Sequence, residues 1–209
     1  MAKLYFRYGA MNSGKSTALM QVAHNYEEQG MRVLILKPKV DTKGSGDLVS
    51  RLGVRRPADL LVPPDMDLVE AVRAASSEGR PLACVLCDES QFLTAEQAEQ
   101  LFMVTVELNI PVICYGLRAD FKGDLFPGSY HLLVLADKLE EVKTICWCGK
   151  KAAFNARFDE NGHVVKEGAQ VVLGANDKYI GLCRRHWMAG DLGPDFDIHK
   201  VCLLYTSDA

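Results

Sequence analysis

Gly9-Ala10-Met11-Asn12-Ser13-Gly14-Lys15-Ser16 decides how this chain reads, because it fits GxxxxGK[ST] and lies between a strand and a helix start. Upstream, Leu4 to Tyr8 is a short apolar and aromatic run that stops at Gly9. Downstream, Ala18, Leu19, Val22, Ala23 and Tyr26 recur at helical spacing until Gly30. A loop in this setting binds phosphate. Its glycines let main-chain N–H groups from Gly9 through Gly14 wrap a triphosphate, and the helix N-terminus adds positive potential. Lys15 then neutralises the β- and γ-phosphates, and the Ser16 hydroxyl is placed to ligate Mg²⁺.

Outward from that loop the chain alternates. Val33 to Leu36 reads as a second buried strand, ended by Lys37 and Pro38, and the polar, glycine-rich DTKGSGD from Asp41 to Asp47 reads as a mobile loop. Leu68, Val69, Val72 and Ala75 mark a helix that closes at Gly79. Leu82 to Cys87 is a third strand, Thr94 with Gln97 forms a capping box for a helix reaching Leu108, and Pro111 to Tyr115 is a fourth strand. Strands alternating with helices imply an α/β fold with a parallel sheet covered on both faces. Its ligand site is expected at the carboxyl ends of the strands.

Asp88 and Glu89 stand at such an end, immediately after the third strand. One carboxylate there holds Mg²⁺ directly or through water, and a second orients or deprotonates an attacking nucleophile.

Composition bounds the partners. The 209 residues are 48% hydrophobic and 24% charged, enough apolar material for one large domain with or without a small appendage. A formal net charge of -3, with no helix carrying a dense Lys/Arg face, argues against nucleic acid as the partner. No apolar run reaches the roughly 20 residues needed to span a bilayer, so no membrane role and a cytoplasmic location are expected. The seven cysteines then read as thiols or metal ligands rather than disulfides.

Their spacing sorts them. Cys84 and Cys87 spell CxxC, but residues three apart on a strand face opposite ways, so both read as buried small hydrophobes, as does Cys114. Cys202 has no readable role. Cys146, Cys148, Cys183 and His186 differ: two close ligands, a hairpin signalled by Asn161-Gly162 between Ala152–Phe158 and a second β-type segment ending at Leu173, then CxxH. This is the layout of a closed, structural zinc site with three sulfurs and one imidazole. The chain therefore divides into residues 1–142 around the phosphate loop, a small zinc-bearing domain at 143–190, and a tail at 191–209 without a clear period. His24, His131, His163 and His199 show no partner pattern.

Four segments carry a family likeness. The phosphate loop with Met11 inside it, DESQF at 88–92, YGLRADF at 115–121 and GANDKYIGLCRRH at 174–186 occur in an order that resembles the P-loop, zinc-containing thymidine kinases, most of all their enterobacterial branch. That resemblance implies a RecA-like domain, a zinc-bearing lasso domain closing over the nucleoside, a homotetramer and feedback inhibition by dTTP. It implies phosphoryl transfer from ATP to the 5′-hydroxyl of thymidine, with Glu89 as general base and Asp88 as the magnesium-side carboxylate. Ser90 and Gln91 would border ATP with them. Met11, Phe92, Leu117, Phe121 and Phe126 would line the nucleoside pocket, the main chain of Val172, Leu173 and Gly174 would meet the thymine edge, and Tyr179 would contact the sugar. In one respect the chain departs: after Asp41, where family members commonly carry Arg, it has Thr42, Lys43 and Gly44. Lys supplies charge there without a bidentate fork.

The same residues permit a second class of function, a RecA-like ATPase whose zinc ribbon binds nucleic acid or a protein partner, since a Glu after the strand also activates water. The ribbon's lack of a basic, aromatic-interleaved face and the run of Phe92, Phe121 and Phe126 after the acidic pair favour the kinase.

Overall fold

The structure, a computed structural model, describes residues 1–39, 46–50, 53–171 and 178–198. At its centre is a six-stranded sheet made of β1 (Leu4–Tyr8), β2 (Arg32–Pro38), β5 (Leu60–Val62), β6 (Leu82–Cys87), β7 (Val112–Gly116) and β8 (Lys138–Glu141). Its order is β5-β2-β6-β7-β1-β8, and every pairing in it is parallel. The helices α1 (Lys15–Glu28), α2 (Leu68–Ser77), α3 (Ala95–Glu107) and α4 (Pro127–Leu135) cover it.

Both faces of the sheet are buried, which is why its strands read as continuous apolar runs. Leu34, Leu36, Val85, Cys87, Val112 and Cys114 point into one core with α2, α3 and α4. Their neighbours Val33, Ile35, Cys84, Leu86, Ile113 and Tyr115 point into the other, against Leu19, Met20 and Ala23 of α1. Cys84 and Cys87 therefore do lie on opposite faces, both fully buried. Burial pushes the Cys84 thiol up to about 12, so it packs as a neutral hydrophobe.

Helix α3 starts at the expected capping box, with Thr94 accepting from the Gln97 N–H and the Gln97 side chain accepting from the Thr94 N–H. Elsewhere the chain is more regular than its pattern suggests. β2 runs through Lys37 to Pro38 because β5 pairs alongside those residues. The short β3 (Asp47–Val49) and β4 (Arg55–Pro57) pair with each other, whereas the 41–45 part of the expected mobile loop, with Thr42, Lys43 and Gly44, lies outside the described residues.

The second unit has its own core of Ala152, Ala156, Phe158 and Leu182. It contains β9 (Thr144–Ile145), β10 (Lys151–Ala152), β11 (Phe154–Phe158), β12 (Val164–Val165), β13 (Tyr179–Leu182) and α5 (Arg184–Ala189). The Asn161-Gly162 turn joins β11 to β12, and β11 pairs antiparallel with both β12 and β13, while Leu173, the expected end of the second β-type segment, lies outside the described residues. Residues beyond 190 join this core: Leu192 is buried in it, and Phe196 stands edge-on to Phe158 at 4.9 Å.

Candidate active site and zinc centre

The phosphate loop takes the backbone its glycines permit. Gly14 and Asn12 have φ of 83° and 66°. A Cβ at Gly9 would stand 2.5 Å from the Val142 carbonyl oxygen and 2.6 Å from Ser13 Oγ, so only glycine fits there. α1 begins at Lys15 with no side-chain cap and no acidic residue in its first turn, whereas Asp67 and Thr94 cap α2 and α3. The uncapped N–H groups leave α1 as an anion-binding terminus. Lys15 is buried and folds back to donate to the Ala10 carbonyl at 2.9 Å, inside the loop it would release on meeting phosphate.

At the end of β6 the acidic pair stands beside this loop. Asp88 is 3% exposed. Ser16 and Lys15 both favour the charged form of its carboxylate, so the two expected magnesium ligands, Ser16 and Asp88, are neighbours. Burial and the neighbouring Glu89 raise Asp88 to about 6 against the pull of Ser16 and Lys15.

Glu89 adopts a left-handed conformation, φ 48°, which turns the chain into the 3-10 turn Ser90–Phe92. An acidic residue in that region is uncommon and marks strain retained at a site. Gln91, 1% exposed, fixes the Glu89 carboxylate by donating to it at 2.6 Å while accepting from the Leu117 N–H at 3.0 Å. Ser90 donates to the Tyr115 carbonyl at 3.0 Å. β6 and β7 are thus laced together at the ends that carry the candidate chemistry.

The expected pocket residues form two aromatic pairs. Phe92 meets Phe126 edge-on at 5.7 Å, and Phe121 meets Tyr179 at 6.5 Å with the Arg157 guanidinium 4.1 Å over the Phe121 ring. Leu117, Phe121, Phe126 and Tyr179 are all buried. Val172, Leu173 and Gly174 lie outside the described residues.

Cys146, Cys148, Cys183 and His186 converge, their ligand atoms all within 4.8 Å of one another. Cys146 Sγ and His186 Nδ1 are 3.3 Å apart and Cys148 Sγ and Cys183 Sγ 3.9 Å. Tetrahedral zinc with bonds of about 2.3 Å to sulfur and 2.0 Å to nitrogen has edges of roughly 3.8 and 3.5 Å, so this donor set fits zinc. Trp147 stacks on the His186 ring at 4.2 Å and holds its orientation. Four protein donors would close a zinc ion's coordination sphere, the pattern of a structural site.

Several residues at the site carried no sequence signal of their role. Asn155 and Trp187 tie the small unit to the large one, and Asp120 caps its own turn through the Lys122 and Asp124 N–H groups. A buried Asn inside a strand is unusual by β propensity, and that was the one textual hint at Asn155. Of the remaining histidines, His24, His131 and His163 sit in ordinary pairs with Glu28, Glu99 and Asp159, and His199 lies outside the described residues.

Comparison with known proteins agrees with this geometry. A family profile described as Thymidine kinase matches residues 2–187. The chain is 49% identical over 196 residues to the thymidine kinase of Ruegeria pomeroyi, covering 92% of this chain and 98% of that one. It is 48% identical over 202 residues to that of Legionella pneumophila strain Lens, 96% of each chain, and 50% identical over 188 residues to that of Salmonella typhimurium, 90% and 91%. A phosphate loop beside buried Asp88 and part-buried Glu89, a Cys3His cluster that fits zinc, and relatives alike over nine-tenths of the chain or more lead to one assignment: the chain belongs to the thymidine kinase family.

Proposed function

We propose that this protein transfers the γ-phosphate of ATP to the 5′-hydroxyl of thymidine, yielding dTMP. The observation that carries the reading is a phosphate loop with buried Lys15 beside buried Asp88, followed by a Glu89 carboxylate that Gln91 holds at 2.6 Å. In this reading the main chain from Gly9 to Gly14, with Lys15 and Ser16, holds the triphosphate. Ser16 and Asp88 would hold Mg²⁺, which supplies neutralising charge on the phosphates when bound. Glu89, held by Gln91, accepts the 5′-hydroxyl proton as that oxygen attacks the γ-phosphorus and ADP departs.

For the nucleoside we assign Met11, Phe92, Leu117, Phe121 and Phe126 as walls, the main chain of 172–174 as the clamp on the thymine edge and Tyr179 as the sugar contact. A flat, methylated base suits aromatic walls with main-chain donors and acceptors. Zinc at Cys146, Cys148, Cys183 and His186 organises the small domain, which begins near 143 and runs past 190 to include Leu192 and Phe196, and stands apart from the chemistry. Feedback inhibition by dTTP, a homotetramer and a cytoplasmic location complete the proposal. No described helix is long and apolar enough to cross a membrane.

An assay with ATP, Mg²⁺ and each of the four common deoxynucleosides tests the reading: phosphorylation of thymidine above the others is expected. Stabilisation against heat by single-stranded DNA, with none by thymidine or dTTP, would replace it with the ATPase alternative.

A further inference from the structure

Asn155 sits in β11 of the zinc-bearing unit, 4% exposed, and makes no contact with the zinc ligands in its hydrogen bonding. Its Oδ1 accepts from the Met11 N–H at 2.7 Å, and its Nδ2 donates to the Ala119 carbonyl at 3.1 Å. The two partners fix which end of the amide is which, since only oxygen can accept and only nitrogen can donate. One side chain thus joins the crest of the phosphate loop to the segment that carries Leu117 and Phe121.

The joint is itself held. Trp187 Nε1 donates to the Asn155 carbonyl at 3.1 Å and to the Phe121 carbonyl at 3.0 Å, and its ring stacks on Phe154 at 4.6 Å. Trp187 follows the zinc ligand His186 directly, and its N–H bonds the carbonyl of the ligand Cys183 at 2.9 Å. β13 lies on the same loop: a Cβ at Gly181 would stand 3.6 Å from Ala10 Cβ and 3.7 Å from the Met11 carbonyl oxygen. The zinc unit therefore rests on the phosphate loop, and Asn155 pins the contact.

We propose that Asn155 is a positioning residue that sets the distance between the phosphate donor and the nucleoside acceptor, through one hydrogen bond to the Met11 main chain and one to Ala119. The inference rests on the kinase reading above, in which the phosphate loop and the 117–126 segment hold the two substrates. Reaction of two bound groups is sensitive to displacements near 1 Å, so an amide bridging their supports governs rate without touching either.

Two substitutions separate its arms. Asn155→Asp keeps an acceptor for the Met11 N–H but cannot donate to Ala119, and it sets a carboxylate against that carbonyl. It should raise the KM for thymidine by about fivefold or more and leave the KM for ATP within about twofold. Asn155→Ala removes both arms and should also lower kcat, by about tenfold or more. Zinc content, by atomic absorption, should remain one per chain in both. Trp187→Phe keeps the stack but loses the Nε1 donor, and should raise the thymidine KM as the Asp variant does. It decides together with Asn155→Asp where Asn155→Ala does not fold. Kinetic constants within twofold of wild type in the folded, zinc-loaded variants would overturn the proposal. So would an equal rise in the ATP and thymidine KM for Asn155→Asp, which points to a loosened domain rather than a divided amide. A wild-type chain that leaves thymidine unphosphorylated refutes the functional reading instead, so the two failures are distinct.

Discussion

Replacing Gly128 with alanine should destabilise this protein although the residue lies in a helix. Gly128 is buried in the first turn of α4 with an ordinary helical backbone, where intrinsic propensity favours alanine by up to about 1 kcal/mol. Geometry opposes it. An alanine Cβ would stand 2.6 Å from the Ser90 carbonyl oxygen, 2.8 Å from that of Leu93 and 3.1 Å from that of Gln91. Ordinary contact begins near 3.4 Å, so the turn carrying these carbonyls must retreat by about 0.8 Å, and no side chain can swing aside to relieve it. Overpacking costs about 1–3 kcal/mol, and a 2.6 Å contact with backbone puts this site in the upper half of that range, leaving a net loss of about 1–2 kcal/mol after the propensity gain. At about 2–4 °C per kcal/mol for a chain of this size, Tm should fall by roughly 2–8 °C. Because the displaced turn also carries Gln91, which orients Glu89, kcat should fall by about 10- to 100-fold. Differential scanning calorimetry and steady-state kinetics on the same preparation read both effects. A Tm that rises with kcat unchanged would refute the close approach of α4 to this turn.

Three further outcomes are expected. Asp88→Asn should make the magnesium-free protein more stable at pH 7.5 by about 2–3 kcal/mol while abolishing turnover. The sign follows from a folded pKa raised from 3.8 to about 6: the protonated form stabilises the fold below pH 4, and that contribution is lost as pH rises through 6. Urea titrations should therefore show the two proteins converging toward pH 4, and a variant less stable than wild type at pH 7.5 would contradict this. Glu89→Gln should lower kcat by roughly two to four orders of magnitude while ADP binding, followed with a fluorescent analogue, stays within a few-fold. Cys183→Ser should reduce zinc from one per chain to none, with loss of ordered structure in the small domain by hydrogen exchange, since binding free energy at such centres is folding free energy.

The sheet's central strands and the phosphate loop were legible because they follow simple rules. Residues such as Val33 to Leu36 and Leu82 to Cys87 are buried on both faces and so read as unbroken apolar runs, and GxxxxGK[ST] fixes strand, turn and helix in a few residues. The convergence of Cys146, Cys148, Cys183 and His186 was legible for a related reason, since structural zinc sites draw on Cys and His at close spacing. The edge strands were not. β8 reads Lys-Leu-Glu-Glu and β5 only Leu-Leu-Val, too short or too polar for a period, and pairing with β1 and β2 supplies what local pattern lacks. α4 begins Pro127-Gly128-Ser129, which reads as a turn, and is recruited by packing on α3 and the 90–92 turn.

The site shows the same division. Residues whose chemistry is intrinsic, such as Lys15, Asp88 and Glu89, stood out as candidates one by one, and the fold brings them to one place. Gln91, Asn155 and Trp187 each bond partners 26 to 144 positions away in the chain, and beyond the oddity of an Asn inside a strand such long-range bonds leave little local trace. Phe121 and Phe126 look alike as core or pocket residues, and their burial in edge-to-face pairs fits both descriptions.

The most direct test follows the γ-phosphate itself. With γ-labelled ATP, Mg²⁺ and thymidine, the purified protein should move the label into dTMP in step with ADP release and free little inorganic phosphate. Label appearing as inorganic phosphate while thymidine stays unmodified would contradict the account at its centre.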